Sequence, residues 1–272
     1  VRYTGEQMLQ PKHSRLIGKT VKKVLKYRGG GSALPGLIVE KLDPDFLKRT
    51  LSGLEHGVVI VSGTNGKTTT TKMVVQLLRA EGLKVFTNPT GSNFTRGIAA
   101  SLLSAVNDDG VLEADIAVIE LDEAHAVHFV RQIPPRHSLI LNVLRDQLDR
   151  FGEIDHTARL LGHVVDATTD GIVLNREDPL VRQLGTDVPR SKKVQYFGLS
   201  DNLKQLFPSD QGLHGEDVSV SPPHPHRGDV ILRSLKGNTA KFAFGEKLQP
   251  AVTLKLDGAY NVLNAAAALA LV

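Results

Sequence analysis

Val58-Val-Ile-Val-Ser-Gly-Thr-Asn-Gly-Lys-Thr-Thr-Thr70 decides how the rest of the chain is read. The apolar run Val58 to Val61 has the character of a buried parallel strand. Gly63-Thr-Asn-Gly66 then makes a glycine-rich turn, and Lys67 and Thr68 open a helix. Met73, Val74, Leu77 and Leu78 carry that helix at helical spacing through Glu81, with Gly82 just past its end. A strand, a glycine turn and a helix start aim backbone N–H groups at one point, where they cradle phosphate oxygens. In such a loop the lysine reaches the β- and γ-phosphates and the first threonine ligates Mg²⁺. A glycine turn with a surface lysine is the plain alternative. The strand before and the helix after favour a nucleoside triphosphate site.

The pattern continues outward. Lys84-Val85-Phe86 starts a strand, Ile116 to Ile119 is another, Asp122 to Arg131 a helix and Ser138 to Val143 a strand. His156 to Ala167 reads as a helix and Gly171 to Leu174 as a strand. Strands alternating with helices predict an α/β fold with a doubly wound, mostly parallel sheet. Upstream, Ser14 to Tyr27 predicts an amphipathic helix, Gly29 to Ser32 and Pro35-Gly36 an irregular loop, and Asp43-Pro44 the cap of a short helix through Leu54. From about 198 to 258 the texture becomes polar or β-rich, an antiparallel subregion or a surface excursion. The expected organisation is a basic N-terminal region over 1–54 and one nucleotide-binding domain over 55–272, with a divergent insertion at about 200–250.

Composition narrows the classes. The 272 residues are 41% apolar and 23% charged, a globular balance. There is no cysteine, which excludes disulfides, thiol catalysis and thiolate metal sites. The net charge of +4 conceals an asymmetry: residues 1–31 hold eight Lys/Arg against Glu6 alone, a balance of +7, so the remainder sums to −3. A nearly neutral body speaks against nucleic-acid binding. The longest apolar run, Ala265 to Val272, has eight residues, short of the ~18 a membrane span needs. A cytoplasmic protein is expected. The chain begins with Val1 and stops inside that apolar run without a cap, which predicts a piece of a longer protein.

Other residues suit the same chemistry. Glu120 stands at the carboxyl end of the strand Ile116 to Ile119, where carboxylates face the ligand crevice of a parallel sheet. An acidic helix start with Asp122 and Glu123 is the alternative reading. The loop Thr87-Asn-Pro-Thr-Gly-Ser-Asn93 offers Thr90 and Ser92 as hydroxyls for phosphate or substrate. Asn261 and Asn264 supply amide groups of the kind adenine recognition needs, or else cap a helix. His125 and His128, and the loop histidines His214, His224 and His226, read as surface or packing residues rather than metal ligands.

The spelling of the loop carries a family resemblance. A general P-loop has glycine five positions before Gly66, where this chain has Val61. The compressed Gly63-Thr-Asn-Gly-Lys-Thr-Thr69 resembles that of the Mur ligase superfamily, ATP-dependent enzymes that join amines to carboxylates through an acyl phosphate. The resemblance implies that Gly63, Thr64, Asn65, Gly66, Lys67, Thr68 and Thr69 bind ATP, and that Glu120 holds Mg²⁺ with Thr68. Asn142-Val-Leu-Arg-Asp-Gln-Leu-Asp-Arg-Phe-Gly152 is similar to the family's Asn-x-x-x-Asp-His-Leu-Asp segment, which brings Asn142 into the site. Asn175-Arg-Glu-Asp178 resembles the stretch after the next strand. Gly258-Ala-Tyr-Asn-Val-Leu-Asn264 resembles an element whose two asparagines lie against the nucleotide.

Three departures point to one branch. Gln147 replaces a metal-binding histidine, Tyr260 replaces the histidine before Asn261, and Leu161 stands where many members have a carbamylated lysine. They resemble the lipid II isoglutaminyl synthase branch, as do Arg28 to Gly36, Leu42 to Asp45 and Val143 to Asp155. That resemblance implies ATP-dependent activation of the α-carboxylate of the D-glutamyl residue of lipid II, and a GatD-like glutaminase partner that supplies ammonia. Lys67, Thr68 and Mg²⁺ would neutralise charge on the transferred phosphoryl group. Relatives carry a four-cysteine zinc ribbon; with no cysteine here, no zinc is expected. A C-terminal Mur ligase domain is expected to be absent from this chain, leaving it inactive alone. The lipid substrate further implies contact between Lys19, Lys22, Lys23 and Lys26 and anionic lipid at the inner membrane face; a helix docked on the body with solvated lysines is the alternative. A stand-alone amino-acid or polyglutamate ligase and a non-catalytic nucleotide-binding docking module are the rival classes.

Overall fold

Strand β1, Val58–Ser62, is buried along its whole length and lies between two parallel neighbours, β3 (Ile116–Glu120) and β4 (His137–Ile140). The computed structural model describes residues 34–89, 91–144, 153–207 and 229–272. The predicted helix over Ser14 to Tyr27, the lysines on it, Thr90, Gln147 and the histidines 214, 224 and 226 lie outside those residues.

The remaining strands are β2 (Val85–Thr87), β5 (Gly171–Asn175), β6 (Lys193–Leu199), β7 (Val230–Lys236), β8 (Thr239–Phe244), β9 (Lys247–Leu248) and β10 (Val252–Thr253). They form one sheet in the order β10-β8-β7-β6-β5-β4-β1-β3-β2, with β9 paired to β8. Every pairing from β2 to β7 is parallel; β7 with β8, and β8 with β9 and β10, are antiparallel. The described residues 230–253 of the region of changed texture are therefore an antiparallel extension of the same sheet. Its hairpin turns at Gly237-Asn238, where Gly237 has φ 56°, a residue pair that suits a tight turn.

The helices are α1 (Leu34–Leu42), α2 (Phe46–Leu51), α3 (Lys67–Ala80), α4 (Thr95–Ala105), α5 (Glu123–Gln132), α6 (Glu153–Ala167), α7 (Pro179–Gln183) and α8 (Ala259–Leu271), with a 3-10 turn at Asp201–Leu206. Handedness assigns their faces. From β1 the chain steps outward to the edge strand β2, then returns through β3 and crosses to β4, β5 and β6. Right-handed crossovers in opposite directions put their helices on opposite faces. Accordingly α3 packs on one face with Val59, Val61, Val118 and Leu139, joined by α8. The other face holds α1, α2, α4, α5 and α6 against Ile60, Ile119, Ile140 and Ile172. Side chains alternate along each strand between the two cores, as the strand period requires.

Two local expectations are corrected. Pro35-Gly36 lies in the first turn of α1, not in a loop; proline is tolerated there because its missing N–H has no helical partner. Gly36 lets α1 meet α4 backbone to backbone, since a Cβ on it would fall inside the carbonyl oxygen of Arg96. The strand predicted to reach Val143 ends at Ile140, and the chain beyond it turns over the glycine loop. In the apolar run at the end of the chain, Ala266 and Ala267 are fully buried beside α3.

Candidate functional site

β1 is the strand whose following helix lies on the opposite face from the helices that follow both neighbours, so the carboxyl ends of β1, β3 and β4 open a crevice. The loop Gly63 to Gly66 sits at that point. Gly63 has φ 130° and Gly66, the N-cap of α3, has φ 86°. Both positions also lack room for a side chain. A Cβ on Gly63 would lie 2.9 Å from the Asn142 nitrogen, and one on Gly66 3.0 Å from the Asn264 amide.

Asn142 staples the loop. Its Oδ1 accepts from the Asn65 N–H at 2.8 Å, its Nδ2 donates to the Asn65 carbonyl at 3.0 Å, and its carbonyl accepts the Thr64 N–H at 3.0 Å. The Leu144 N–H donates to Thr64 Oγ1 at 3.1 Å. Asn142 holds the loop's shape, with its amide taken up by Asn65. The N–H groups of Thr64 and Asn65 are hydrogen-bonded to Asn142. The donors left for an anion include those of Lys67, Thr68 and Thr69, because the first intrahelical bond of α3 is Thr70 N–H to the Gly66 carbonyl and no side chain caps the helix.

The two residues expected to share a metal meet directly: Thr68 Oγ1 donates to Glu120 Oε1 at 2.8 Å. Glu120 is only 6% exposed at the end of β3. Its backbone is held by a side chain that sequence reasoning missed. Asn88 Oδ1 accepts the Glu120 N–H at 2.9 Å, and Asn88 Nδ2 donates to the carbonyls of Glu120 and Ser92, each at 2.9 Å. Ser92 is thus placed beside β3 through its backbone. A hydroxyl and a carboxylate beside a phosphate loop are hard oxygen donors of the kind Mg²⁺ takes, one or two from protein and the rest from phosphate and water. The arrangement fits that ion. Among the described residues no group of three His, Cys, Asp or Glu side chains converges on a metal position.

Lys67 Nζ donates to the carbonyls of Gly63 at 2.6 Å and Thr64 at 3.0 Å, and stands 3.9 Å from Glu123 Oε2. Glu123 opens α5; burial pushes its carboxyl up from the usual range, more than its own backbone N–H and Lys67 draw it down. Its partnership with Lys67 was not visible in the sequence, where it read as one acid of a helix start.

The remaining motif residues divide. Asn264 lies against Gly66, inside the site. Asn261 Nδ2 donates to the Asp257 carbonyl at 2.6 Å, and Tyr260 is 57% exposed and edge-on to Phe207. Asn175 to Asp178 tie strand ends together. Asn175 Nδ2 donates to the Leu141 carbonyl at 2.8 Å, Arg176 to that of Leu199, and Glu177 accepts the Leu199 N–H. Asp178 accepts the Val143 N–H at 2.7 Å and caps α7 through Leu180 and Val181; burial raises its carboxyl despite those three donors. Leu161 is fully buried in α6, within the core. His125 packs its ring 6.1 Å from Phe94.

A phosphate loop at the switch point, with a hydroxyl–carboxylate pair at the next strand, defines a nucleotide-binding α/β domain, and the Mur ligase middle-domain model matches residues 61–272. The chain belongs to the Mur ligase family. It is 37% identical to the lipid II isoglutaminyl synthase (glutamine-hydrolyzing) subunit MurT of Streptococcus pneumoniae, over 94% of this chain and 61% of that protein. The MurT subunit of Staphylococcus aureus strain COL is 31% identical over 73% of this chain and 41% of its own length. The UDP-N-acetylmuramoylalanine–D-glutamate ligase of Burkholderia multivorans is 30% identical over 81% and 44%. The chain thus spans about half the length of these curated relatives. The crystal structure of the Thermotoga maritima MurF ligase in complex with ADP superposes with a TM-score of 0.62 at 23% identity, covering 86% of this chain and 48% of that one. At that identity the likeness is one of fold, and it includes the mostly parallel sheet.

Proposed function

We propose that this chain supplies the ATP site of a lipid II isoglutaminyl synthase, with residues 55–272 as the nucleotide-binding domain. The carrying observation is the contact of Thr68 with Glu120 beside the Gly63–Gly66 loop. The α-carboxylate of the D-glutamyl residue attacks the γ-phosphorus, ADP departs, and an acyl phosphate remains. Ammonia then attacks the acyl carbon and phosphate leaves, giving the amide. Lys67 and the N–H groups of Lys67, Thr68 and Thr69 hold the phosphate oxygens as charge shifts toward the β–γ bridge. Thr68 and Glu120 would hold Mg²⁺, which would supply neutralisation of the phosphate charge. Asn264 lines the loop and Asn261 opens the helix beside it.

Ammonia as the amine, from a GatD-like glutaminase, is supported by the MurT relatives and by the departures at Gln147, Tyr260 and Leu161. Lipid II as substrate places the reaction at the cytoplasmic face of the membrane, and the basic residues of the N-terminal region suit contact with anionic lipid there. No helix among the described residues is long and apolar enough to cross a membrane. The similarity to a D-glutamate-adding ligase supports a second reading, in which a free amino acid is the amine. The test supplies the protein containing this chain with ATP, Mg²⁺, lipid II, glutamine and the glutaminase, and follows the stem peptide by mass spectrometry. Isoglutamine formation is expected. Product formation with a free amino acid and none with ammonia would replace this reading by the second.

A further inference from the structure

The segment 141–144, which follows β4, alternates its hydrogen-bond partners. The Leu141 carbonyl accepts from Asn175 Nδ2 at 2.8 Å. Asn142 bonds to Thr64 and Asn65 of the glycine loop. The Val143 N–H donates to Asp178 Oδ2 at 2.7 Å. The Leu144 N–H donates to Thr64 Oγ1 at 3.1 Å. The segment is thus a strap, bonded to the loop at two positions and to the turn Asn175 to Asp178 at the other two. It lies close on the loop, since a Cβ on Gly63 would come 2.9 Å from the Asn142 nitrogen and 3.0 Å from its carbonyl oxygen. The far anchor is stiff. Asp178 Oδ1 accepts the N–H groups of Leu180 and Val181, each at 3.0 Å, so the same carboxylate caps α7. Pro179 at the helix start fixes the backbone there, and Val181 is fully buried in the core. One carboxylate oxygen serves the helix and the other the strap, in hydrogen bonds strengthened by the charge.

We propose that Asp178 is a positioning residue of the nucleotide site: through the Val143 N–H it holds the strap in place, and the strap sets the shape of the Gly63–Gly66 loop through Asn142 and Leu144. This rests on the ATP reading above. Without the Oδ2 acceptor the Val143 N–H loses its partner and the strap is anchored at one position fewer. The loop then loses part of its backing, and a nucleotide must restore the shape as it binds, which weakens binding.

The test is calorimetric titration of the protein with the Mg complex of the non-hydrolysable β,γ-imido analogue of ATP, with thermal unfolding of each variant. Asp178→Asn keeps the size and one oxygen to cap α7, but sets an amide donor against the Val143 donor. Asp178→Ser, the second variant, keeps a cap oxygen and withdraws the group that reaches Val143. Val181→Ala is the control, loosening α7 in the core while leaving the Asp178 carboxylate in place. Both Asp178 variants should bind the analogue roughly three- to tenfold more weakly than wild type. Val181→Ala should lower the unfolding midpoint and keep its affinity within about twofold. Asn142→Ala should weaken binding by itself, and adding Asp178→Asn to it should cost about twofold or less, because the two act through one strap. Unchanged affinity in either Asp178 variant would overturn the proposal. So would fully independent losses in the double variant, or a loss in Val181→Ala as large as in Asp178→Asn, which would make the effect one of stability alone. Failure of the wild type to bind the analogue would instead overturn the ATP reading on which it rests.

Discussion

Asn88 connects three pieces of backbone that the site needs in register: both polar groups of Glu120 and the carbonyl of Ser92. It is 6% exposed, so Asn88→Ala leaves buried donors and acceptors without partners. The expected cost is roughly 1–3 kcal/mol of stability, read by denaturant unfolding. Because Glu120 then loses its anchor, nucleotide binding in the presence of Mg²⁺ should weaken more than binding in its absence. Equal weakening in both would show that Asn88 does not act through Glu120. The placement of the candidate side chains was legible in the sequence: Lys67 and Thr68 open a helix directly after a glycine turn, and Glu120 ends a strand. Asn88, Glu123 and the staple made by Asn142 were not assigned their roles. Each acts on a residue from another strand end, and such contacts leave no periodic trace in the chain.

Among the elements, α1 and α4 show where local signals mislead. Pro35 and Gly36 read as a loop by composition, yet the first turn of a helix accepts both. Gly36 is required by its neighbour rather than by its own backbone, since Arg96 lies where its Cβ would go. Gly36→Ala should therefore force α1 off α4 and destabilise the protein by roughly 1–3 kcal/mol or more. Gly53, with nothing within 4 Å of its Cβ position, provides the control: Gly53→Ala should be close to neutral. Comparable losses from the two substitutions would remove the close approach as the cause. The alternation of β1, α3, β2, β3, α5, β4, α6 and β5 was readable because each has its own apolar period. The antiparallel end was readable only as a change of texture, since β9 and β10 have two residues each and exposed side chains.

For the whole molecule, the direction of chain travel explains both the two cores and the position of the site: the step from β1 out to β2 runs opposite to the later steps through β3, β4, β5 and β6, so α3 lies on the other face from the helices that follow β3 and β4. Acid should loosen this assembly in a way that can be assigned. Burial of His137 at the start of β4, against Gly171 of β5, lowers its imidazole pKa from 6.5, with Asp170 opposing. A base with a depressed folded pKa contributes stability that is present above its ordinary pKa and lost as pH falls through the depressed one. His137→Gln should thus lose less stability than wild type between about pH 7.5 and pH 5; parallel losses would remove His137 from the account. The central claim is that the Gly63–Gly66 loop, Lys67, Thr68 and Glu120 form one Mg-ATP site. Its most direct test is calorimetric titration of Mg-ATP into wild type and Lys67→Ala, with unfolding midpoints measured for both. The account expects Mg²⁺-dependent binding to wild type and loss of binding in the variant at an unchanged fold, since Lys67 stands at a helix start outside both cores. Equal affinity in the two proteins would contradict it.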